Sequence, residues 1–527
     1  YTGDSIGNFC KIHYSSWRLC MIELHQNNEL SYEKNQYADA NPFINASVSD
    51  MPLVTYEEVR HLLPRPIFDG HEDYIACYDF AWRIAFKNTL KPEPESGFVS
   101  NFIDTAFNGC LFMWDSSFIL MFTKYATRIF PFQNTLDNFY AKQHKDGFIC
   151  REIRESNGRD RFARHDPSST GPNVMPWCEK NYFDIFGDTE RLGKIYAPLR
   201  AYHVWLRKNR TWRDGSYYSS GWGCRMDNSP RMEPAYNPRF SHGHMIWIDA
   251  CCQQILSANI LIEMNHVLGG KDDVSDLMEE RDRLTKLVNE KLWDEATGFY
   301  YDLRKDDSFS GVKHIGAYWA LLAGVVPPDR VERFVAHLTN TSEFNRPNTI
   351  PTLSADHPEY NRKDGGYWRG GVWAPTNYMT LCGLTKYGQD ELAYRIADTY
   401  VKNVVSNFQK TGTLWENYAP ESDEKGNPAR PDFVGWTGLA PISIFFEYVL
   451  GIRADVPTKT ILWDVHKTER HGIRQYPMGR DITLDLVCEA RSSPEDEPVI
   501  TAVSNTPVKI VVRWMGKEKT LYSKLPK

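Results

Sequence analysis

Residues 244–267, HMIWIDACCQQILSANILIEMNHV, carry apolar side chains at intervals of three and four, as at Ile255, Ala258, Leu261 and Ile262. That period belongs to an α-helix with a wide apolar face, and the segment is too long for a strand. Segments of the same texture flank it on both sides. They fall at 72–89, 116–128, 132–144, 174–186, 190–208, 273–292, 313–323, 328–339, 372–387, 390–408 and 437–450. Twelve helical segments with long loops between them, and no fixed repeat period, predict a toroid of six helical hairpins rather than an open solenoid. Long loops in a compact domain are generally functional, so these are expected to gather at one mouth and carry the chemistry.

The texture changes at both ends. Residues 1–65 are irregular and close on the turn-rich LLPRPIFDG at 62–70, which reads as an arm or cap. After residue 452 the runs 460–465, 481–488, 499–503 and 508–514 alternate or are β-branched, separated by turn clusters such as RSSPEDEP. The expected organisation is an arm over 1–65, an all-α (α/α)6 barrel over 66–452 and a small β-sandwich-like module over 453–527.

Composition narrows the function. A net charge of −7 with no basic block argues against nucleic acid, whose binding needs clustered Lys and Arg. No run of roughly 18 apolar residues is present to span a bilayer. The eleven cysteines contain no CxxC, which removes the common zinc and redox spacings, and an odd count leaves at least one thiol unpaired within the chain. No leader is visible, but a removed leader would leave this same sequence, so the compartment stays open: a periplasmic or secreted location is favoured and a cytoplasmic one is the alternative. The 16 Trp, 28 Tyr and 27 Phe suit a large core and also suit stacking against sugar rings, so position must decide between the two.

Four loop motifs supply positions. GCLFMWDSSF (109–118) places Trp114 and Asp115 before a helix, where Asp115 could cap the helix or read sugar hydroxyls. GWGCRMDNSPRM (221–232) sets Asp227 among Gly, Trp222, Arg231 and Pro, either as a turn aspartate or as an acid on a fixed backbone. GGYWRGGVWAPTNY (365–378) brackets Trp368, Arg369 and Trp373 with glycines, which permit close approach to a ligand. TLWENYAPES (413–422) holds Glu416 between Trp415 and Tyr418, followed by FVGWTGLAPI with Trp436. Glycoside hydrolysis needs one carboxylic acid for the leaving oxygen and one carboxylate for water or the anomeric carbon. No GxSxG elbow, Walker loop, HExxH or strand-borne GxGxxG offers a competing chemistry.

With these motifs in this order, residues 100–450 resemble clan G of the glycoside hydrolases, most closely the bacterial branch of family 63, whose members include processing α-glucosidases, with the family 37 trehalases as relatives. The resemblance implies an (α/α)6 barrel and inversion at an α-linked sugar. It implies Asp227 as general acid, Glu416 as general base and Trp114 with Asp115 as a sugar-binding pair. Trp222, Arg231, Trp368, Arg369, Trp373, Tyr418 and Trp436 are implied in substrate binding, as are Arg164 and Asp166 in RFARHDPSSTGPN (161–173). Gly223, Cys224, Arg225 and Met226 stand between Trp222 and Asp227, where the family loop reads close to SGWD. The expected substrate is an oligosaccharide or glycan cleaved from its end. No cofactor or catalytic metal is expected; structural calcium occurs in some relatives, with no ligand set identifiable here. A polysaccharide lyase on the same toroid and a non-catalytic carbohydrate-binding protein are the alternatives.

Overall fold

The computed structural model describes residues 33–49, 51–104, 108–433 and 435–526. The first half of the expected arm, residues 1–32, therefore lies outside the described residues. Each of the twelve expected helical segments forms a helix. In chain order these are α1 (Glu72–Lys87), α2 (Met113–Thr123), α3 (Thr135–Ala141), α4 (Met175–Phe186), α5 (Thr189–Asn209) and α6 (Ile248–Val267). They continue as α7 (Ser275–Leu287), α8 (Trp319–Ala323), α9 (Pro328–Ala336), α10 (Ala374–Lys386), α11 (Asp390–Thr411) and α12 (Ala440–Val449).

Helix chemistry sorts these helices into two sets. Every residue of α2, α8 and α12 is buried, as expected of helices that are apolar or small on all sides. By contrast α7 and α9 bury one face only. The even-numbered helices form a closed circuit: α2 packs on α4, α4 on α6, α6 on α8 and α8 on α10. The circuit returns through the turn Thr437–Leu439 at the start of α12, which touches both α10 and α2. The odd-numbered α5, α7 and α11 pack outside on α6, α6 and α10 respectively.

The C-terminal region holds two four-stranded sheets. With β1 (Arg65–Phe68), β2 (Ile452–Asp455), β3 (Thr460–Asp464), β4 (His471–Met478), β5 (Ile482–Cys488), β6 (Ile500–Ser504), β7 (Lys509–Trp514) and β8 (Lys517–Tyr522), the orders are β1-β4-β5-β6 and β8-β7-β3-β2. Four strands were legible in the sequence: β3, β5, β6 and β7. Three of the others escape for definable reasons. A register break between Ile473 and Tyr476 interrupts the alternation of β4, and β8 is an exposed edge read as KEKTLY. β1 carries a proline and comes from the far end of the chain, Arg65 pairing with Arg474 and Phe68 with His471.

The sheets are not an appendage. One continuous buried apolar cluster runs from the helices into Tyr476, Leu484 and Ile510. Phe68 lies 6.0 Å from Phe445 of α12, ring to ring, and Arg128 after α2 donates to Thr483 Oγ1 at 2.8 Å. The β-rich region therefore packs directly on the helical body. All cysteines among the described residues are free, and no helix there is long and apolar enough to cross a membrane.

Candidate active site

Glu416 is held by its backbone and its carboxylate at once. α11 ends at Gly412, whose φ of +70° lets the chain turn off the helix. The following loop is tied to the 365–378 loop by paired backbone bonds between Val372 and Tyr418, at 2.9 and 3.0 Å. The indole of Trp436 donates to the Glu416 carbonyl at 2.9 Å. Two donors reach the carboxylate itself, the Tyr367 hydroxyl on Oε1 and the Arg430 backbone N–H on Oε2, both at 3.2 Å. Burial raises the pKa of Glu416, and these two hydrogen bonds work against that rise by favouring the ionised form.

Asp227 is set differently. It is partly exposed, and among the described residues no hydrogen bond reaches its carboxyl. Burial again raises its pKa; the Arg225 and Arg151 cations oppose the rise and the Glu152 carboxylate adds to it. Each carboxyl acts on the common surroundings: Glu416 and Asp227 both raise the phenol of Tyr367, and Asp227 raises the pKa of Glu416. The structure thus brings the two expected acids into one electrostatic neighbourhood.

The residues between Trp222 and Asp227 explain themselves here. Cys224 and Met226 are buried, Met226 packing so closely on Gly316 that a Cβ there would meet its Cε at 2.9 Å. Arg225 points the other way. Its backbone takes a left-handed φ of 65°, a strained choice for a residue with a Cβ. The guanidinium donates to Asp115 Oδ2 at 3.1 Å, lies 3.7 Å from Glu152 and covers the Phe112 ring. Glu152 is delivered by a short ladder in which Phe112 pairs with Glu152, just before α2 begins.

Asp115 is not a helix cap. The N-cap of α2 is Phe112, and Asp115 sits in the first turn, 1% exposed. Burial pushes its pKa up to about 7, with Arg225 pulling down. Its second oxygen, Oδ1, and the neighbouring Trp114 Nε1 are both buried without a hydrogen-bond partner among the described residues. A buried acceptor and a buried donor left open on consecutive residues each suit a ligand hydroxyl, since unpaired buried polar atoms are costly.

Other expected residues take different places. Trp368 and Trp373 stack at 3.9 Å and are fully buried, with Trp436 edge-on to Trp373 at 5.5 Å. They form the wall behind Tyr367, whose carbonyl accepts from Trp373 Nε1 at 3.1 Å, rather than offering open ring faces. Tyr418 is buried, its hydroxyl accepting from the Trp415 N–H at 3.2 Å. Arg369 is exposed and pairs with Glu359 at 3.1 Å. Trp222 is partly exposed beneath the Arg239 guanidinium.

Three assignments need correction. Arg231 does not face a ligand: it is 2% exposed and its donors are spent on Asp249 and Asp302, at 2.5 to 2.9 Å. Arg164 is committed to Asp146 at 2.9 Å and to His144 at 2.8 Å. Asp166 caps the turn Pro167–Ser169 through the Ser168 N–H at 2.8 Å. Conversely, Arg225, Tyr367, Arg151 and Glu152 belong to the site without having been singled out. Tyr367 and Arg225 stood inside quoted motifs, and their left-handed backbone is a tertiary fact. Glu152 carries no local signal. Among the described residues no group of three or more His, Cys, Asp or Glu could hold a metal ion.

Comparison with known proteins places the chain in a family. A sequence profile described as the mannosylglycerate hydrolase MGH1-like glycoside hydrolase domain matches residues 111–437, over half of the chain and spanning both acids. An uncharacterized protein of Borreliella burgdorferi is 25% identical over 384 residues, 71% of this chain and 78% of that one. The mannosyl-oligosaccharide glucosidase GCS1 of Arabidopsis thaliana is 23% identical over 423 residues, covering 64% of this chain and 48% of its own length. The chain thus spans about half of that glucosidase. Among solved structures, the family 63 mannosylglycerate hydrolase of Thermus thermophilus, in complex with glucose, superposes with a TM-score of 0.56 at 19% identity. That match covers 68% of this chain and 98% of the other.

Proposed function

The chain belongs to the mannosylglycerate hydrolase MGH1-like glycoside hydrolase family, and from that membership we propose an inverting, exo-acting hydrolase that releases an α-linked sugar from the end of an oligosaccharide or glycan. The twelve helices are read as an (α/α)6 toroid whose loops present the site. One observation carries the assignment of roles: among the described residues, Glu416 accepts two hydrogen bonds on its carboxylate, whereas Asp227 accepts none. Donors stabilise an ionised group, which fits Glu416 as the base; burial raises the Asp227 carboxyl and so favours its protonated form, which fits it as the acid.

In the reaction Asp227 gives its proton to the glycosidic oxygen as the bond to the anomeric carbon breaks. Glu416 takes a proton from a water that attacks the opposite face, and the anomer inverts. Asp115 and the Trp114 indole hold hydroxyls of the bound sugar. The two carboxyl groups account for both proton transfers, so no cofactor enters the scheme. Glucose and mannose are the first candidates, following the names of the relatives.

A panel of α-mannosyl glycerate, trehalose and α-linked gluco- and manno-oligosaccharides, followed by ¹H NMR, tests the proposal. The β-anomer should appear first and mutarotate to the α form; initial release of the α-anomer would rule out inversion. A second outcome concerns Arg225, which holds the acid's pKa down. A general acid works only while protonated, so activity falls as pH rises through its pKa. Removing the cation in Arg225→Gln raises that pKa, and the basic limb of the kcat profile should move to higher pH.

A further inference from the structure

Asp227 and Glu416 stand on separate loops, 189 positions apart in the sequence by subtraction of their numbers. Inversion requires a fixed gap between two carboxyls, one wide enough for a water. Something must hold the loops in register. The residue after the acid, Asn228, makes three hydrogen bonds among the described residues, and all go to the 365–378 loop. Its Oδ1 accepts from the Trp368 N–H at 2.8 Å, its Nδ2 donates to the Gly366 carbonyl at 2.9 Å, and its own carbonyl accepts from Arg369 Nε at 3.2 Å. The side-chain amide therefore grips the backbone on either side of Tyr367.

Tyr367 needs gripping. Its φ of 70° is unfavourable for a tyrosine, and such a conformation persists only where the surroundings over-determine it. Trp373 Nε1 holds its carbonyl from behind at 3.1 Å. In that pose the Tyr367 hydroxyl donates to Glu416 Oε1. A continuous physical link results: Asp227, the adjoining Asn228, its amide on Gly366 and Trp368, the strained Tyr367 between them, and the base.

We propose that Asn228 and Tyr367 are positioning residues that couple the general acid to the general base, setting the separation and alignment of the two carboxyls. The proposal rests on the acid and base assigned above. Because Asn228 is exposed, its removal opens no core cavity and the variant should fold and melt as the parent does. A misplacement of the order of 1 Å costs about a hundredfold in rate, so Asn228→Ala should lower kcat about tenfold to a hundredfold with KM nearly unchanged. Tyr367→Phe deletes a donor that lowers the pKa of Glu416. A base works only while ionised, so the acidic limb of the kcat profile should move to higher pH. Asn228→Ala should move that limb in the same direction, which a merely structural role would not do.

A double-mutant cycle closes the argument. If Asn228 acts through Tyr367, the double variant should lose little more than the worse single variant; multiplying losses would overturn the coupling. A crystal structure of Asn228→Ala serves without any substrate. Tyr367 released from its left-handed backbone and withdrawn from Glu416 supports the link, while a loop unchanged, with the hydroxyl still on Oε1, overturns it. Failure of the functional reading looks different: Asp227→Asn or Glu416→Gln would then keep near-parental turnover, whatever Asn228→Ala does.

Discussion

Glu416→Gln should lose about 10²–10⁴-fold in kcat, the span that a positioned proton-transfer group contributes. The amide keeps the shape of the side chain, and its oxygen can still accept from Tyr367 or the Arg430 N–H, so the loops should stay in place. What disappears is the capacity to take a proton from water. Loss should therefore be similar for every substrate, since water attack is common to all, and a small external anion such as azide should restore part of the rate by attacking directly. Asp227→Asn should differ in kind. Its deficit should be severe for sugar leaving groups, which depart poorly without protonation, and much smaller for a glycosyl fluoride, which needs little acid help. Steady-state kinetics on matched substrates distinguish the two profiles. A variant of either residue with near-parental turnover on a sugar leaving group would remove that residue from the mechanism.

Arg231→Ala should be the most damaging substitution for stability. The guanidinium neutralises two fully buried carboxylates, Asp249 of α6 and Asp302, with His314 alongside Asp302 at 3.2 Å. Its Cζ lies 4.3 Å from the centroid of Trp247. The cation holds Asp302 well below the usual carboxylate range. Removing one partner from a buried ionic cluster costs about 3–5 kcal/mol, because the remaining charges stay desolvated and now repel. Chemical denaturation should show a loss of stability of that size; a loss below about 1 kcal/mol, the scale of an exposed pair, would mean the cluster is not what anchors this loop. Arg231→Lys should recover only part of the loss, since one ammonium cannot serve two carboxylates in the fork geometry. Activity of the surviving folded fraction should fall too, because Arg231 lies in the same loop as the acid, four positions after it.

Much of the helical body was legible in the sequence because the cause is local. A 3.6-residue period in side-chain polarity is a property of consecutive residues, and all twelve periodic segments became helices. The two candidate acids stood out because rare residue types cluster around them in family order. The β-rich region was half legible. Strands that alternate reveal themselves, whereas β1 becomes a strand only because β4 is there to pair with it.

The sequence by itself determined the twelve helical segments after residue 71, the β-rich end and the glycoside hydrolase family, and it singled out the two carboxyl residues as candidates. Only the tertiary structure decided which arginine reads the site. Arg225 and Arg231 lie in one loop of twelve residues, and nothing local distinguishes them. Arg231 turns inward because Asp249 and Asp302 wait in the core; Arg225 turns to Asp115 and Glu152 because buried Cys224 and Met226 fix the backbone on either side. The same holds for the tryptophans, which became walls rather than platforms once they found each other. In an irregular loop the direction of a side chain is set by partners from distant segments, and their position is known only after the chain has folded.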